Sequence, residues 1–392
     1  MQVKRTNTSL FILWLCLTSS TPFIFYSWPG HPHKYLILAC LAFMLIMILT
    51  QGLKVRYDRN IIIVFSFQIL FYIFEIIRFG DFVYSSLCLQ IISLLIVTLF
   101  IKGFVGYNKF ARSYIIIIII MGYGGVLAFF IHLIFGITPI FSVNYSGNGI
   151  SYFLGLTCTN SYVNYENFRI LRFSGFFDEP GAFALASIYA LVLNKLYFNS
   201  QKFEIQIIVL AIFTFSLAFY FVCTAYILLF YLNKSNLKFL LFSGLIVILA
   251  VIYISYNKDS NSNSKKIYEL TLKRFELDSD YNLSGNSRSS HTVNDKELFF
   301  ENPLTGVGMN HKVSGSNLFS PLATYGISGF FIYYGLVLYL LLIIIFHDNK
   351  IRNTKLYFII ILNFGVRPEV TSLLIMLLLI AIIEKIKISQ VN

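Results

Sequence analysis

Apolar runs recur along this chain at about the length a helix needs to cross a bilayer, and that repetition constrains the fold more than any motif does. A helix rises 1.5 Å per residue, so roughly 20 apolar residues are needed for about 30 Å of hydrocarbon. The runs fall at 9–27, 35–50, 61–77, 82–101, 114–137, 180–198, 204–218, 219–232, 238–256, 319–346, 355–366 and 370–385. Only 12% of the residues are charged and 57% are hydrophobic, where a soluble domain carries about 25% charged residues. The expected fold is an all-α polytopic integral membrane protein, one transmembrane domain over 1–392 with about 12 transmembrane helices, in the range 11–13. Lys4 and Arg5 precede the first run as in a signal peptide. No clean small-x-small cleavage site follows, so the run reads as an uncleaved first helix.

The net charge of +12 raises the question of nucleic acid. The basic residues sit in short loops between apolar runs, as the positive-inside rule requires, and no basic block is interleaved with aromatics. No nucleic-acid partner is expected. Lys4/Arg5, Lys54/Arg56/Arg59 and Lys102/Lys109/Arg112 alternate as they should for a cytoplasmic N-terminus, and Lys350/Arg352/Lys355 and Lys385/Lys387 are further inside signals. Both sets face the cytoplasm only if the run 203–233 crosses twice, or re-enters and leaves on its own side. Both termini are then inside, and the polar segments 138–178 and 257–318 are long external loops.

The five cysteines, Cys16, Cys40, Cys88, Cys158 and Cys223, have neither metal-ligand nor redox spacing. Four lie in apolar runs, and Cys158 reads as a loop thiol. His132, inside an apolar run, reads as a hydrogen-bonded core residue. Segment 138–178 is rich in Tyr, Asn and Gly, and 257–318 contains an amphipathic stretch, Ile267–Leu277, expected to lie as a surface helix. Aromatic rings and amides suit sugar rings and hydroxyls, though ordinary external loops share that composition.

Charge concentrates at four places. Arg169 and Arg172 precede Asp178, Glu179 and Pro180 at the mouth of an apolar run. If helical, the arginines share one face, and Pro180 suits the first helical position with Asp178 or Glu179 as its cap. An acidic cap paired with the arginines is one account; a guanidinium pair that grips phosphate oxygens is the other. Arg288 and His291 are also three apart, in a segment that equally suits a solvated loop, and His291 could serve as a base near neutral pH. Pro303, Gly306 and Gly308, in the segment that runs to His311, mark a fixed turn with close backbone approach. It has neither the preceding strand nor the lysine of a nucleotide-binding loop. Arg367 and Glu369 lie between the last two runs, and Glu75 and Arg78 form a local pair at a span end.

The order Arg172-Phe173-Ser174-Gly175-Phe176-Phe177-Asp178-Glu179-Pro180-Gly181, entering a middle span after an external loop, resembles a segment of the bacterial polysaccharide polymerases and O-antigen ligases of the Wzy/WaaL superfamily. Ser284, Gly285 and Arg288, then Asn302-Pro303-Leu304, Gly306-Val307-Gly308, Asn317, Gly326 and Gly329 resemble the large external loop and re-entry of the same superfamily. By topology the resemblance covers most of the chain; by motif it covers about 60 residues, whose order and placement are more specific than any single motif.

The resemblance implies a GT-C-like glycosyltransferase of the bacterial cytoplasmic (inner) membrane. It would join undecaprenyl-pyrophosphate-linked oligosaccharide repeat units into O-antigen, capsular or exopolysaccharide at the outer face, by inverting transfer without a metal or other cofactor. Its partners would be the lipid-linked glycan donor and acceptor, membrane lipid, a flippase and a chain-length regulator. In that reading Arg172 and Arg288 hold the pyrophosphate, Arg169 assists, and Glu179 orients an arginine or takes the acceptor proton, a role open also to His291. Gly175, Gly306, Gly308, His311 and Asn317 complete the substrate site. Ligases of the superfamily commonly carry histidine where this chain has Ser316, which favours polymerase over ligase. A flippase is the non-enzymatic alternative.

Overall fold

The computed structural model describes residues 11–16, 32–51, 58–145, 148–160, 162–165, 168–232, 251–257, 288–309, 317–346, 350–366 and 372–391, with isolated positions between them. The described chain is mostly helical. In order, its helices are α1 (Pro32–Thr50), α2 (Arg59–Phe79), α3 (Val83–Phe100, continued by a π-helical turn to Val105) and α4 (Tyr107–Phe135). After a block of strands come α5 (Pro180–Tyr197), α6 (Gln201–Ile212) and α7 (Leu217–Tyr231). The rest are α8 (Arg288–Glu301), α9 (Phe319–Tyr333), α10 (Gly335–Ile345), α11 (Lys350–Val366) and α12 (Leu373–Val391).

Among the described residues, four helical stretches, Arg59–Phe79, Val83–Val105, Tyr107–Phe135 and Phe319–Ile345, are long and apolar enough to cross a membrane. Their outer faces fit lipid. Phe67, Leu70, Phe74 and Ile77 stand exposed on α2, while Ile61, Phe65 and Tyr72 on its other side are buried. An exposed apolar face of this extent belongs against hydrocarbon. The centre of the bundle is α5 and α12. Almost every residue of α5 is buried, and so is the run Leu374–Ile383 of α12. A helix that is apolar all round must be surrounded by other helices or by lipid, and these two are surrounded by helices.

The ambiguous run 203–233 is two helices, α6 and α7, parted at Phe213–Ser216. Ser216 caps α7 by accepting from the Phe219 amide. At 12 and 15 residues these helices span about 18 and 22 Å, each short of the roughly 30 Å hydrocarbon core. The hairpin closes on itself. Lys195 at the end of α5 donates to Glu204 in the first turn of α6 (3.0 Å) and to the Tyr231 hydroxyl at the end of α7 (2.8 Å). Tyr226 donates to the other Glu204 oxygen (2.8 Å).

Segment 138–178, read from sequence as a polar loop, contains β-structure. Strands β1 (Phe141–Tyr145), β2 (Asn148–Phe153) and β3 (Thr157–Thr159) form an antiparallel sheet, with Val143 opposite Ile150 and Tyr152 opposite Cys158. Strands β4 (Tyr162–Tyr165) and β5 (Phe168–Leu171) form a separate hairpin. At 29 residues α4 is about 43 Å long, more than a bilayer core needs, and its last turns carry this block. Ala128 packs with Phe153 and Leu171. His132 donates from Nδ1 to the Ile137 carbonyl (2.7 Å) and sits edge-on to Phe153, a core histidine as expected. The missing side chains of Gly124 and Gly125 let the Leu156 carbonyl and the Phe173 ring approach where a Cβ would lie 2.7 and 2.2 Å away. Cys158 is fully buried in β3, not exposed in a loop. Of the expected surface helix 267–277, almost all lies outside the described residues, as do Arg367 and Glu369.

Candidate functional site

The segment leading into α5 is a rigid bracket. Ser174 and Gly175 continue the edge of β3: the Cys158 amide donates to the Gly175 carbonyl (2.7 Å) and the Ser174 amide to the Cys158 carbonyl (3.0 Å). Thr157 Oγ1 adds a bond to the Gly175 carbonyl (3.0 Å), and Ser174 Oγ bonds the carbonyls of Cys158 and Phe177. Gly175 adopts φ +60°, and a Cβ there would lie 3.0 Å from the Phe183 ring. Both the turn and the fit to α5 therefore need glycine. Burial pushes the Cys158 thiol up to about 12, so it stays protonated within this bracket.

Arg169 and Arg172 do not share a helical face. Arg169 lies in β5, paired with Asn164, and Arg172 follows the strand. The Tyr, Asn and Val residues of this segment favour or tolerate extended hairpins, and helix periodicity is absent. Half-buried Arg172 donates Nε to the Thr214 carbonyl (3.2 Å) and Nη2 to the Phe215 carbonyl (2.9 Å). Those carbonyls lie in the Phe213–Ser216 break between α6 and α7. The Thr159 hydroxyl donates to the Arg172 carbonyl. Side chain and main chain together fix the position of this guanidinium.

Glu179 is the N-cap residue of α5, with Pro180 at the first helical position as expected. Its carbonyl accepts from the Ala182 amide (3.0 Å), but its carboxylate makes no capping hydrogen bond. Of the two acidic caps the sequence offered, Glu179 takes the N-cap position but does not cap through its carboxylate. The carboxylate lies at the positive end of a buried helix without being used to close it.

A second group is built on α8, α9 and the α2–α3 corner. Arg288 and His291 lie in the first turn of α8, three apart on a helix and not in a solvated loop. The side chains of Arg169, Arg288 and His291 lie outside the described residues, as does the whole of His311. Asn317 is a fastener. Its Nδ2 donates to buried Asp295 of α8 (2.8 Å), and its Oδ1 accepts from the Phe319 amide (2.8 Å) at the start of α9. Ser320 donates to the same Asp295 oxygen (2.6 Å).

The Pro303–Gly308 turn locks into a break in α9 at Gly326, whose φ and ψ are +65° and −170°. The Val307 and Gly308 amides donate to Ala323 and Thr324, and the Ile327 amide donates to Pro303. A Cβ on Gly306 would lie 2.4 Å from the Thr324 oxygen, and one on Gly326 would lie 2.3 Å from the Leu304 oxygen. Arg78 seals the turn from below, donating to the Thr305 and Gly306 carbonyls (2.7 and 2.9 Å). It also stands 3.6 Å from Glu75, the i,i+3 pair read from sequence. The Tyr84 hydroxyl accepts from the Met309 amide (2.9 Å). The glycines thus serve backbone-to-backbone contact.

Beside the bracket a cavity of about 160 Å³ opens between α4, α5, α12 and the helical segment before α1. Asp178 lies at one end and Tyr114 and Tyr189 line its interior. Sequence inspection missed this feature: its tyrosines sit singly in apolar helices, and no local pattern tells that three helices bring them together. Among the described residues no three His, Cys, Asp or Glu side chains are grouped to hold a metal ion. No protein-family model, curated protein or solved structure matches the chain.

Proposed function

We propose that this chain is a polytopic membrane glycosyltransferase that joins undecaprenyl-pyrophosphate-linked repeat units into a surface polysaccharide at the outer face of the bacterial cytoplasmic membrane. The observation that carries the reading is the Arg172–Glu179 bracket at the mouth of the central helix α5. A guanidinium and a carboxylate are held there on hydrogen-bonded backbone, in the segment whose order of residues resembles the polymerases. The roughly 12-span, GT-C-like arrangement belongs to the same proposal. The self-closing α6–α7 hairpin supports it, since a segment that returns to its starting side keeps both sets of basic loops on one side.

In the reaction, an acceptor hydroxyl attacks the donor's anomeric carbon. The carbon–oxygen bond to the pyrophosphate breaks, and its electron pair leaves with the lipid pyrophosphate. Arg172 and Arg288 meet the charge that develops on that leaving group. Glu179, next to α5's positive end, orients cationic groups. The proton passes to Glu179, His291 or solvent.

Deletion of the gene is expected to leave glycans capped by a single repeat. Long polymer retained on the lipid carrier would favour the ligase reading instead. Arg172→Ala and Arg288→Ala are each expected to abolish chain growth in protein that still inserts, and Arg288→Lys should fail as well, because lysine lacks the planar fork. Near-normal chain length in both alanine variants, read on a glycan gel, would remove these residues from the site.

A further inference from the structure

The cavity beside Asp178 has a chemistry of its own. Its wall follows one stripe of α5, from Ala182 to Tyr189, seven residues or about 10 Å down the helix. Asp178 supplies a carboxylate and Ser372 a hydroxyl, while the Thr18 hydroxyl is committed to the Trp14 and Leu15 carbonyls (2.9 and 3.2 Å). Tyr114 contributes a ring; its own hydroxyl is committed to the Ala186 carbonyl (3.0 Å). Tyr189 differs. It is 1% exposed, it lines the cavity, and its hydroxyl has no hydrogen-bond partner. A buried hydroxyl without a partner is unfavourable by about 1–3 kcal/mol, and a ligand that brings a hydroxyl into the cavity would relieve it.

Three ligand classes can be compared on these groups. A phosphate would meet the Asp178 carboxylate and no cation among the lining residues, so the anion belongs outside. A hydrocarbon chain would leave Tyr189 unpartnered and set methylenes against the Asp178 carboxylate. A neutral polyhydroxylated ring satisfies both ends: its hydroxyls meet Asp178 and Tyr189, and its apolar face lies against the tyrosine rings. The volume, about 160 Å³, is below the roughly 300–1,000 Å³ of sites for drug-sized ligands and suits one ring.

We propose that this cavity is a subsite for a single neutral sugar ring, with Asp178 and Tyr189 as its hydrogen-bonding ends. This rests on the glycosyltransferase reading and places one residue of a repeat unit beside the Arg172–Glu179 bracket, apart from the pyrophosphate.

The test is saturation-transfer NMR on the full chain in nanodiscs, with methyl glycosides of neutral hexoses and N-acetylhexosamines as probes. At least one glycoside should receive saturation. Tyr189→Phe and Asp178→Asn should each weaken its binding about two- to tenfold, the range of one net hydrogen bond. Ala182→Trp, which fills the cavity, should abolish it. An excess of inorganic pyrophosphate should not displace the glycoside, which separates this subsite from the anion site. No transfer to any glycoside, or transfer indifferent to Ala182→Trp, overturns the proposal. So does transfer to farnesol alone that Ala182→Trp removes, because that outcome makes the cavity a prenyl slot. Normal chain length in a deletion strain would sink polymerisation while leaving a positive glycoside result standing.

Discussion

Arg172 has a structural duty that is visible without any ligand: it holds two carbonyls of the Phe213–Ser216 break between α6 and α7. Substituting it therefore loosens the α6–α7 break as well as removing a charge, and activity alone does not separate the two effects. Asp58 is a cleaner single-residue case at the opposite end of the bundle. Its carboxylate caps α2 by accepting from the Asn60 amide (3.0 Å), accepts from Tyr339 (2.8 Å) and pairs with Lys387 of α12. Burial pushes its pKa up, but the bonds from Lys387, Tyr339 and Asn60, with the lysine charge, outweigh this and hold it below 3.8. The same pair raises Lys387 above 10.5, its hydrogen bonds to Asp58 and Tyr339 overcoming burial. A depressed carboxylate stabilises the fold above its unfolded pKa and loses that contribution as pH falls through the folded value. A raised lysine contributes below its unfolded pKa and loses it above the folded one. The pair is thus fully stabilising between about 4 and 10. Asp58→Asn should lower the melting temperature in nanodiscs by a constant amount across that window, with the gap to wild type closing below pH 3.8. A gap that widens on acidification would contradict this account.

At the scale of elements, apolar length was the legible signal. The helices at 59–79, 83–100, 107–135 and 180–197 lie within a few residues of the runs read from sequence, except that α4 begins seven residues earlier, at Tyr107. Strands β3, β4 and β5 were not legible, because β3 has three residues and β4 and β5 have four each, too short for alternation to register. Sequence read Gly306 and Gly308 as a fixed turn with close backbone approach and set Gly326 in the same motif, without saying that one packs on the other. The structure answers for two of them: the Pro303–Gly308 turn and the broken α9 meet backbone to backbone, and each glycine makes room for the other's chain. Gly326→Ala forces a Cβ to 2.3 Å from the Leu304 oxygen at φ +65°. It should destabilise the protein by about 2–4 kcal/mol, combining left-handed strain with overpacking. Hydrogen exchange should locate the loss at the Val307, Gly308 and Ile327 amides. Protection there equal to wild type would show that the interlock has little weight.

Across the whole molecule, charge sorts by end. Lys102–Glu384 (2.9 Å), Lys195–Glu204, Asp58–Lys387, and the bonds from Arg352 to the Lys195 carbonyl and from Lys355 to the Leu229 carbonyl all join helix ends that sequence assigned to the cytoplasm. The strand block, the Arg172–Glu179 bracket and the Gly306 turn gather at helix ends assigned to the outside. This sorting was partly readable from loop charges. The α6–α7 hairpin was the undecided link, because a 31-residue apolar stretch does not say where it folds back; Phe213–Ser216 does so with Phe215 at φ +50°. The hairpin decides the side of everything that follows it, so it carries the last prediction. In a cysteine-free background, Gln201→Cys and Arg352→Cys should react with a membrane-impermeant maleimide only from the cytoplasmic side. Ser142→Cys and Glu301→Cys should react only from outside. Ser142 and Glu301 are exposed and lie before and after the hairpin, so their agreement tests it directly. If Glu301→Cys labels with Gln201→Cys, the 203–233 segment crosses once. The α8 helix with Arg288 would then lie on the side opposite Arg172, and one pyrophosphate could not reach both arginines.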